Sequence, residues 1–145
     1  MQTVIFYKSG HYLASGGDDS QVRLWDMRVG HCVRLWEATA GSKGVEALAF
    51  SKSGNELVCG TDGGIVEWVG LEGGSCVSLH LEETVTTLLC HQRDQVVAGT
   101  INGAVYILDQ TGSVSRECDN QLSRIINIQG QFDRGNQALI IRECE

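Results

Sequence analysis

Residues Tyr12–Met27 read YLASGGDDSQVRLWDM. Leu13 and Ala14 lead into Ser15-Gly16-Gly17, and Asp18-Asp19-Ser20 follow. Val22-Arg23-Leu24-Trp25-Asp26 then resumes the alternation. A Gly/Asp/Ser cluster between two short runs of aliphatic, β-branched or aromatic residues predicts strand, tight turn, strand.

The pattern repeats along the chain. Shifted by 44 residues, the opening stretch lands on itself without a gap. Phe6 meets Phe50, Lys8-Ser9-Gly10 meets Lys52-Ser53-Gly54, and Leu13 meets Leu57. Gly16, Asp18 and Val22 meet Gly60, Asp62 and Val66. A further shift of 40 brings Val45–Phe50 onto Val85–Cys90, and a shift of 39 brings Gly60-Thr61 onto Gly99-Thr100. The one-residue difference falls in a turn, where deletions are tolerated.

Three four-stranded units follow from this register. The first has strands near Thr3–Tyr7, Tyr12–Ser15, Val22–Asp26 and Cys32–Trp36. The second has Val45–Ser51, Glu56–Cys59, Ile65–Val69 and Cys76–Leu81. The third has Val85–His91, Gln95–Ala98, Val105–Leu108 and Ser113–Arg116. Arg124–Ile128 and Gln137–Arg142 begin a fourth unit, with Gly130–Asn136 in the place of its first turn.

Leu13-Ala14-Ser15-Gly16-Gly17, Asp19 and Val22-Arg23-Leu24-Trp25-Asp26 resemble the WD-repeat (WD40) family of β-propellers. The resemblance implies an all-β fold of four-stranded antiparallel blades in an incomplete ring. Blade 1 is expected over residues 1–37, blade 2 over 45–81, blade 3 over 85–118 and half of blade 4 over 124–143. Three and a half blades leave two apolar blade faces and a strand edge bare. Three arrangements would cover them: a longer protein of which this is a fragment, completion by another chain, or packing against a copy of itself. The abrupt ends of the blade pattern favour the fragment.

In that family a turn Asp, a His before the first strand, a Ser or Thr of the second strand and the Trp of the third form a hydrogen-bonded set. Ser15, Asp19 and Trp25 match three of these positions, and the His would fall upstream of Met1. The second blade departs from the set. Gly41 stands at the His position, Gly63 at the Asp, Cys59 at the Ser and Val69-Gly70 at Trp-Asp. The third keeps only Asn102, with Ala98 and Leu108 at the Ser and Trp positions. His80 lies one residue from a family His position and reads as a surface or turn residue. Trp36 and Trp68 read as packing aromatics.

Composition excludes several classes. The 145 residues carry a net charge of −7, which disfavours nucleic acid as a partner, Arg23, Arg28 and Arg34 notwithstanding. Eighteen glycines without a proline suit tight turns, not a proline-rich linker. No apolar run approaches a membrane span and no signal-peptide pattern opens the chain. Six cysteines stand singly at Cys32, Cys59, Cys76, Cys90, Cys118 and Cys144. An even count would suit disulfides in a secreted chain, but single thiols in apolar strands point to a reducing compartment, cytoplasmic or nuclear.

Nothing in the sequence points to catalysis. Gly70-Leu71-Glu72-Gly73-Gly74 lacks the Lys-Ser/Thr and helix start of a phosphate loop. Asp18 and Asp19 in a turn suit backbone capping better than acid–base chemistry. No strand-to-helix elbow is present to hold a nucleophilic Ser. Cys76 and His80, four apart on a strand, would stand roughly 13 Å from each other, too far for one zinc. No cofactor and no metal are expected.

The resemblance instead implies a protein-interaction scaffold. Family members bind partners on the face that carries the turn after the second strand and the link into the next blade. Here that face holds Asp18, Asp19, Lys43, Asp62, Glu83 and Asn102. Four carboxylates against one Lys predict a basic peptide or protein segment as ligand. The alternative is a structural subunit of a large assembly, with strand edges near Val4–Phe6 and Leu139–Ile141 buried permanently against another chain.

Overall fold

Alternating side chains and Gly-rich turns produce strands throughout the described chain. In this computed structural model the described residues are 3–38, 43–73, 76–91, 95–111, 114–119, 124–133 and 136–144, with side chains described as far as residue 111. Gly41 and Gly74 therefore lie outside the described residues, as do the side chains of Cys118, Cys144 and Leu139–Ile141.

Among the described residues, fourteen strands follow in chain order. They are β1 (Thr3–Phe6), β2 (Tyr12–Gly16), β3 (Gln21–Asp26), β4 (His31–Glu37), β5 (Val45–Phe50), β6 (Glu56–Thr61) and β7 (Ile65–Gly70), then β8 (Val77–His80), β9 (Val85–Cys90), β10 (Val96–Thr100), β11 (Ala104–Leu108), β12 (Val114–Asp119), β13 (Arg124–Asp133) and β14 (Asn136–Cys144). They form three four-stranded sheets, β1–β4, β5–β8 and β9–β12, and a two-stranded ribbon, β13–β14. Every pairing is antiparallel between sequence neighbours.

The register carries the repeat into space. Leu13 pairs with Trp25 in the first sheet, and Leu57 pairs with Val69 at the same positions of the second. Ser15 pairs with Arg23, and Cys59 with Glu67. The final ribbon differs from expectation. Of the turn expected over Gly130–Asn136, Gly130, Gln131, Phe132 and Asp133 continue β13 and Asn136 begins β14, with Gly130 paired to Leu139. Regular cross-strand pairing outweighs the turn preference of one glycine here.

The sheets bury their faces against one another. Ala14, Val22 and Leu24 of the first sheet pack on Leu48, Leu57 and Cys59 of the second, with Trp36 partly buried among them. Ala49, Val58, Val66 and Trp68 of the second pack on Leu88, Val96 and Ala98 of the third. Each such Leu or Val stabilises the fold by about 1.5–3 kcal/mol relative to exposure. Sequence follows burial: β6 and β10 lie between sheets and read as near-continuous apolar runs, Leu57-Val58-Cys59 and Val96-Val97-Ala98. β2, covered on one face, alternates.

Close approach of neighbouring sheets demands glycine at Gly16 in β2 and at Gly60 in β6. A Cβ on Gly16 would stand 2.6 Å from Val45 Cγ1, and one on Gly60 would stand 2.6 Å from Val85 Cγ1. The same Gly–Val contact thus recurs at both junctions.

Candidate functional site: an acidic belt of turns and links

Three turns and two links meet at one end of the sheets. Each turn closes with the same backbone bond: Ser20 N–H to Gly17 O at 3.2 Å, Gly64 to Thr61 at 3.1 Å, and Gly103 to Thr100 at 3.1 Å. The residue closing each turn is left-handed, with φ of 60° at Ser20, 80° at Gly64 and 86° at Gly103. In the second and third turns a Thr hydroxyl caps the next strand: Thr61 Oγ1 accepts from Ile65 N–H and Thr100 Oγ1 from Ala104 N–H. The first turn has Gly17 at that position, and Asp19 Oδ1 accepts from Gln21 N–H instead.

The links stitch these turns together. Val45 N–H donates to Gly17 O at 3.0 Å, and the Gly44 backbone sits against Asp18. Asp62 N–H returns to Gly44 O, while Asp62 Oδ1 accepts the N–H groups of Lys43 at 2.8 Å and Gly44 at 3.2 Å. The Thr84 hydroxyl donates to Asp62 O at 2.7 Å, and Ile101 N–H donates to Thr84 O. Thr100 Oγ1 donates to Glu83 Oε2 at 2.6 Å. The result is one hydrogen-bonded belt from Gly17 to Gly103.

All six residues expected on this face lie on the belt, in different roles. Asp18 and Asn102 are exposed at turn tips, and Lys43 is exposed in the first link. Asp62 and Glu83 are half-buried and accept internal hydrogen bonds. Asp19 pairs with Arg23 at 2.7 Å. The Arg23 guanidinium, and after it the Gln21 N–H, hold the Asp19 carboxyl below the usual carboxylate range.

Of the expected set Ser15, Asp19 and Trp25, the structure joins two. Trp25 Nε1–H donates to Ser15 Oγ at 3.0 Å, whereas the Asp19 carboxylate turns to Arg23 and Gln21. His80 closes β8 at the surface, its ring Nε2 3.1 Å from Gly63 O.

Two belt residues escaped the sequence reading. Glu82 is exposed beside Glu83 in the second link, and Arg23 partners Asp19 across the first turn. The acidic pair Glu82-Glu83 was visible as such, and only its register singled out Glu83. Five carboxylates, Asp18, Asp19, Asp62, Glu82 and Glu83, meet two cations, Arg23 and Lys43, so the belt is acidic. Hydrogen bonds from N–H and O–H groups do not cancel that charge.

Sheets paired in strict chain order, recurring turns and a Ser–Trp bond define a repeat architecture. A family model described as WD domain, G-beta repeat matches residues 2–26 and 30–68. The chain carries WD repeats. Its four-stranded sheets are WD-repeat blades of a partial β-propeller.

Among relatives, it is similar to Eukaryotic translation initiation factor 3 subunit I of Aspergillus terreus, 29% identical over 129 residues. That alignment covers 83% of this chain and 38% of the relative. The same subunit of Coccidioides immitis is 31% identical over 133 residues, again 83% and 38%. WD repeat-containing protein SL1-17 of Schistosoma mansoni is 32% identical over 110 residues, 73% of this chain and 36% of that one. This WD-repeat chain thus spans well under half the length of the curated relatives it matches.

Two solved structures share the fold. Sqt1 of Saccharomyces cerevisiae superposes with a TM-score of 0.81 at 16% identity, covering 97% of this chain and 42% of that one. The β-propeller domain of Cps50 (Swd1) of Myceliophteria thermophila gives 0.71 at 24% identity, covering 80% and 36%.

Proposed function

We propose that this WD-repeat chain is a non-catalytic scaffold, a subunit of an intracellular multi-protein complex, whose acidic belt holds a basic segment of a partner protein. The carrying observation is the belt itself. Its backbone is held by internal bonds from Gly17 to Gly103, while Asp18 and Glu82 stay exposed upon it. A rigid acidic surface binds cations without first ordering its own loops. Relatives that carry the word subunit in their names support the assembly role, and translation initiation in the cytoplasm is the setting they suggest.

The test uses a labelled peptide of alternating Lys and Gly. It should bind the chain at low salt and weaken as salt rises, because the contact is solvent-exposed. Asp18→Lys combined with Glu82→Lys should abolish binding, with Asp62 left in place to hold the link. Binding unchanged by the double variant overturns the belt as the site.

A second reading rests on a different observation. Val4 and Phe6 on β1 are 58% and 61% exposed. Their counterparts 44 residues on are Leu48, 5% exposed, and Phe50, half-buried against the first blade. The outer face of the first blade therefore has the chemistry of a blade junction, and in this reading a sheet of another chain covers it. Such a seam should resist high salt, where the belt contact fails.

A further inference from the structure

A cavity of about 300 Å³ opens between the first and second blades, at the end of the sheets away from the belt. Tyr12, Leu24 and Arg34 of the first blade and Leu71 of the second line it. Tyr7 and Phe50 line it as well, packed edge to face with ring centres 5.2 Å apart. At the next junction the corresponding positions are filled. Trp68 stands where Leu24 does and is 2% exposed. Glu56 is the counterpart of Tyr12, and Gln110 lies 39 residues after Leu71 in the repeat. Gln110 Nε2–H donates to Glu56 Oε2 at 2.5 Å, which bridges the second junction directly. The cavity therefore belongs to the side chains of the first junction and not to blade packing as such.

Arg34 gives the cavity its charge. Its Nη1 donates to Gly70 O at 3.2 Å and to Leu71 O, and its guanidinium lies 5.9 Å from the centre of the Trp36 ring. These contacts fix the group without neutralising it: among the described residues no carboxylate pairs with Arg34. Glu72 lines the cavity too, but it is exposed, where water and salt screen it. A half-buried, immobilised guanidinium among aromatic walls suits an anion carried on an apolar body.

We propose that the cavity seats the C-terminal residue of a partner protein, its aromatic side chain between Leu24 and Leu71 and its terminal carboxylate on Arg34. The mouth of the cavity decides between occupants. Val33, Asn55 and Glu72 line it and are exposed, whereas a site for a free small molecule buries roughly 70–90% of its ligand. An occupant that continues over the rim fits this open shape. A chain terminus brings an apolar side chain and an anion in one residue, enters by the single mouth and stops there. The site does not rest on the acidic belt, which lies at the other end of the sheets.

A labelled peptide Gly-Ser-Thr-Ser-Gly-Ser-Phe with a free C-terminus is the probe, titrated against the full chain by fluorescence anisotropy. Saturable binding should weaken about tenfold when the peptide is amidated, and about as much in Arg34→Met, which keeps the length of the side chain and loses its charge. The two changes together should cost little more than either alone, because they remove one contact. Val33→Trp narrows the mouth from its exposed side, leaves the buried walls in place and should weaken binding too; it carries the test if Arg34→Met does not fold. Absence of saturable binding, binding indifferent to amidation, or equal binding of a peptide extended by Gly-Gly after the Phe overturns the proposal. If 3-phenylpropanoate, which lacks the peptide group, binds as tightly as the peptide, the cavity takes a free small carboxylate and the partner terminus is overturned. The Lys-Gly peptide should bind Arg34→Met as it binds the parent, so a failure of the belt and a failure of the cavity are read separately.

Discussion

The Asp62 carboxylate accepts the backbone N–H of Lys43 at 2.8 Å, and one oxygen serves both that group and Gly44. A turn of the second blade thereby fixes the link that enters it. Replacing Asp62 by Ala leaves two link N–H groups to solvent and should cost about 2 kcal/mol, the range for hydrogen bonds to a charged group. Asp62→Asn keeps an acceptor oxygen and should cost less than half of that. Urea unfolding of the three proteins checks the ranking. Equal stabilities would mean that the link holds itself.

Ser20 and Gly64 occupy the same repeat position and the same left-handed backbone, φ 60° and 80°. An L-residue there costs roughly 1–2 kcal/mol, and glycine in the unfolded chain returns up to about 1 of it. Ser20→Gly should therefore stabilise by about 0.5 kcal/mol. The reverse change is not symmetric. A Cβ on Gly64 would stand 1.8 Å from Leu81 O, so Gly64→Ser should cost several-fold more than the φ term alone and shift the link. Thermal melts with opposite signs, the second far larger, are the expected pair.

These two cases show how far the sequence could be read. The strands and turns were legible because alternation and glycine placement are local. The Ser15–Trp25 bond was legible because the two residues sit one strand apart in a recognised spacing. Asp62 was not legible as an anchor: its partners are backbone N–H groups 18 and 19 residues away, and no side-chain type advertises them. Register drew attention to Gly63 as a lost Asp, while its neighbour Asp62 held the link. Asp19 likewise matched a family position, but with Arg23 on the adjoining strand the nearer cation took its carboxylate.

Asp26, the last residue of β3, carries a pH dependence of known sign. The Arg28 guanidinium, through paired hydrogen bonds at 3.0 and 2.7 Å, outweighs burial and holds the carboxyl at about 2 against an ordinary 3.8. Its folded pKa lies below the unfolded one, so this stability is fully present above pH 3.8 and is lost as pH falls through about 2. Asp26→Asn should be less stable than the parent at neutral pH, and the gap should close between pH 4 and 2. Urea midpoints measured down that window test it. A gap constant with pH would assign the effect to packing around Tyr12 and not to the ion pair.

Cys76 offers the sharpest chemical readout. It is exposed, yet its Sγ–H donates to Glu67 Oε1 at 2.6 Å, and Glu67 is only 6% exposed. Desolvation of the sulfur, then the hydrogen bond and charge of Glu67, push the thiol up to about 12 from 9.0. Below both values, three units mean about a thousandfold less thiolate, the species that alkylates. Iodoacetamide at mildly alkaline pH should therefore modify Cys32, also exposed, well before Cys76, and buried Cys59 last. Mass spectrometry of the peptides gives the order directly. Glu67→Gln removes the charge while keeping an acceptor, so it should speed Cys76 without changing Cys32. If Cys76 reacts as fast as Cys32 in the parent protein, the thiol does not rest on Glu67 in solution.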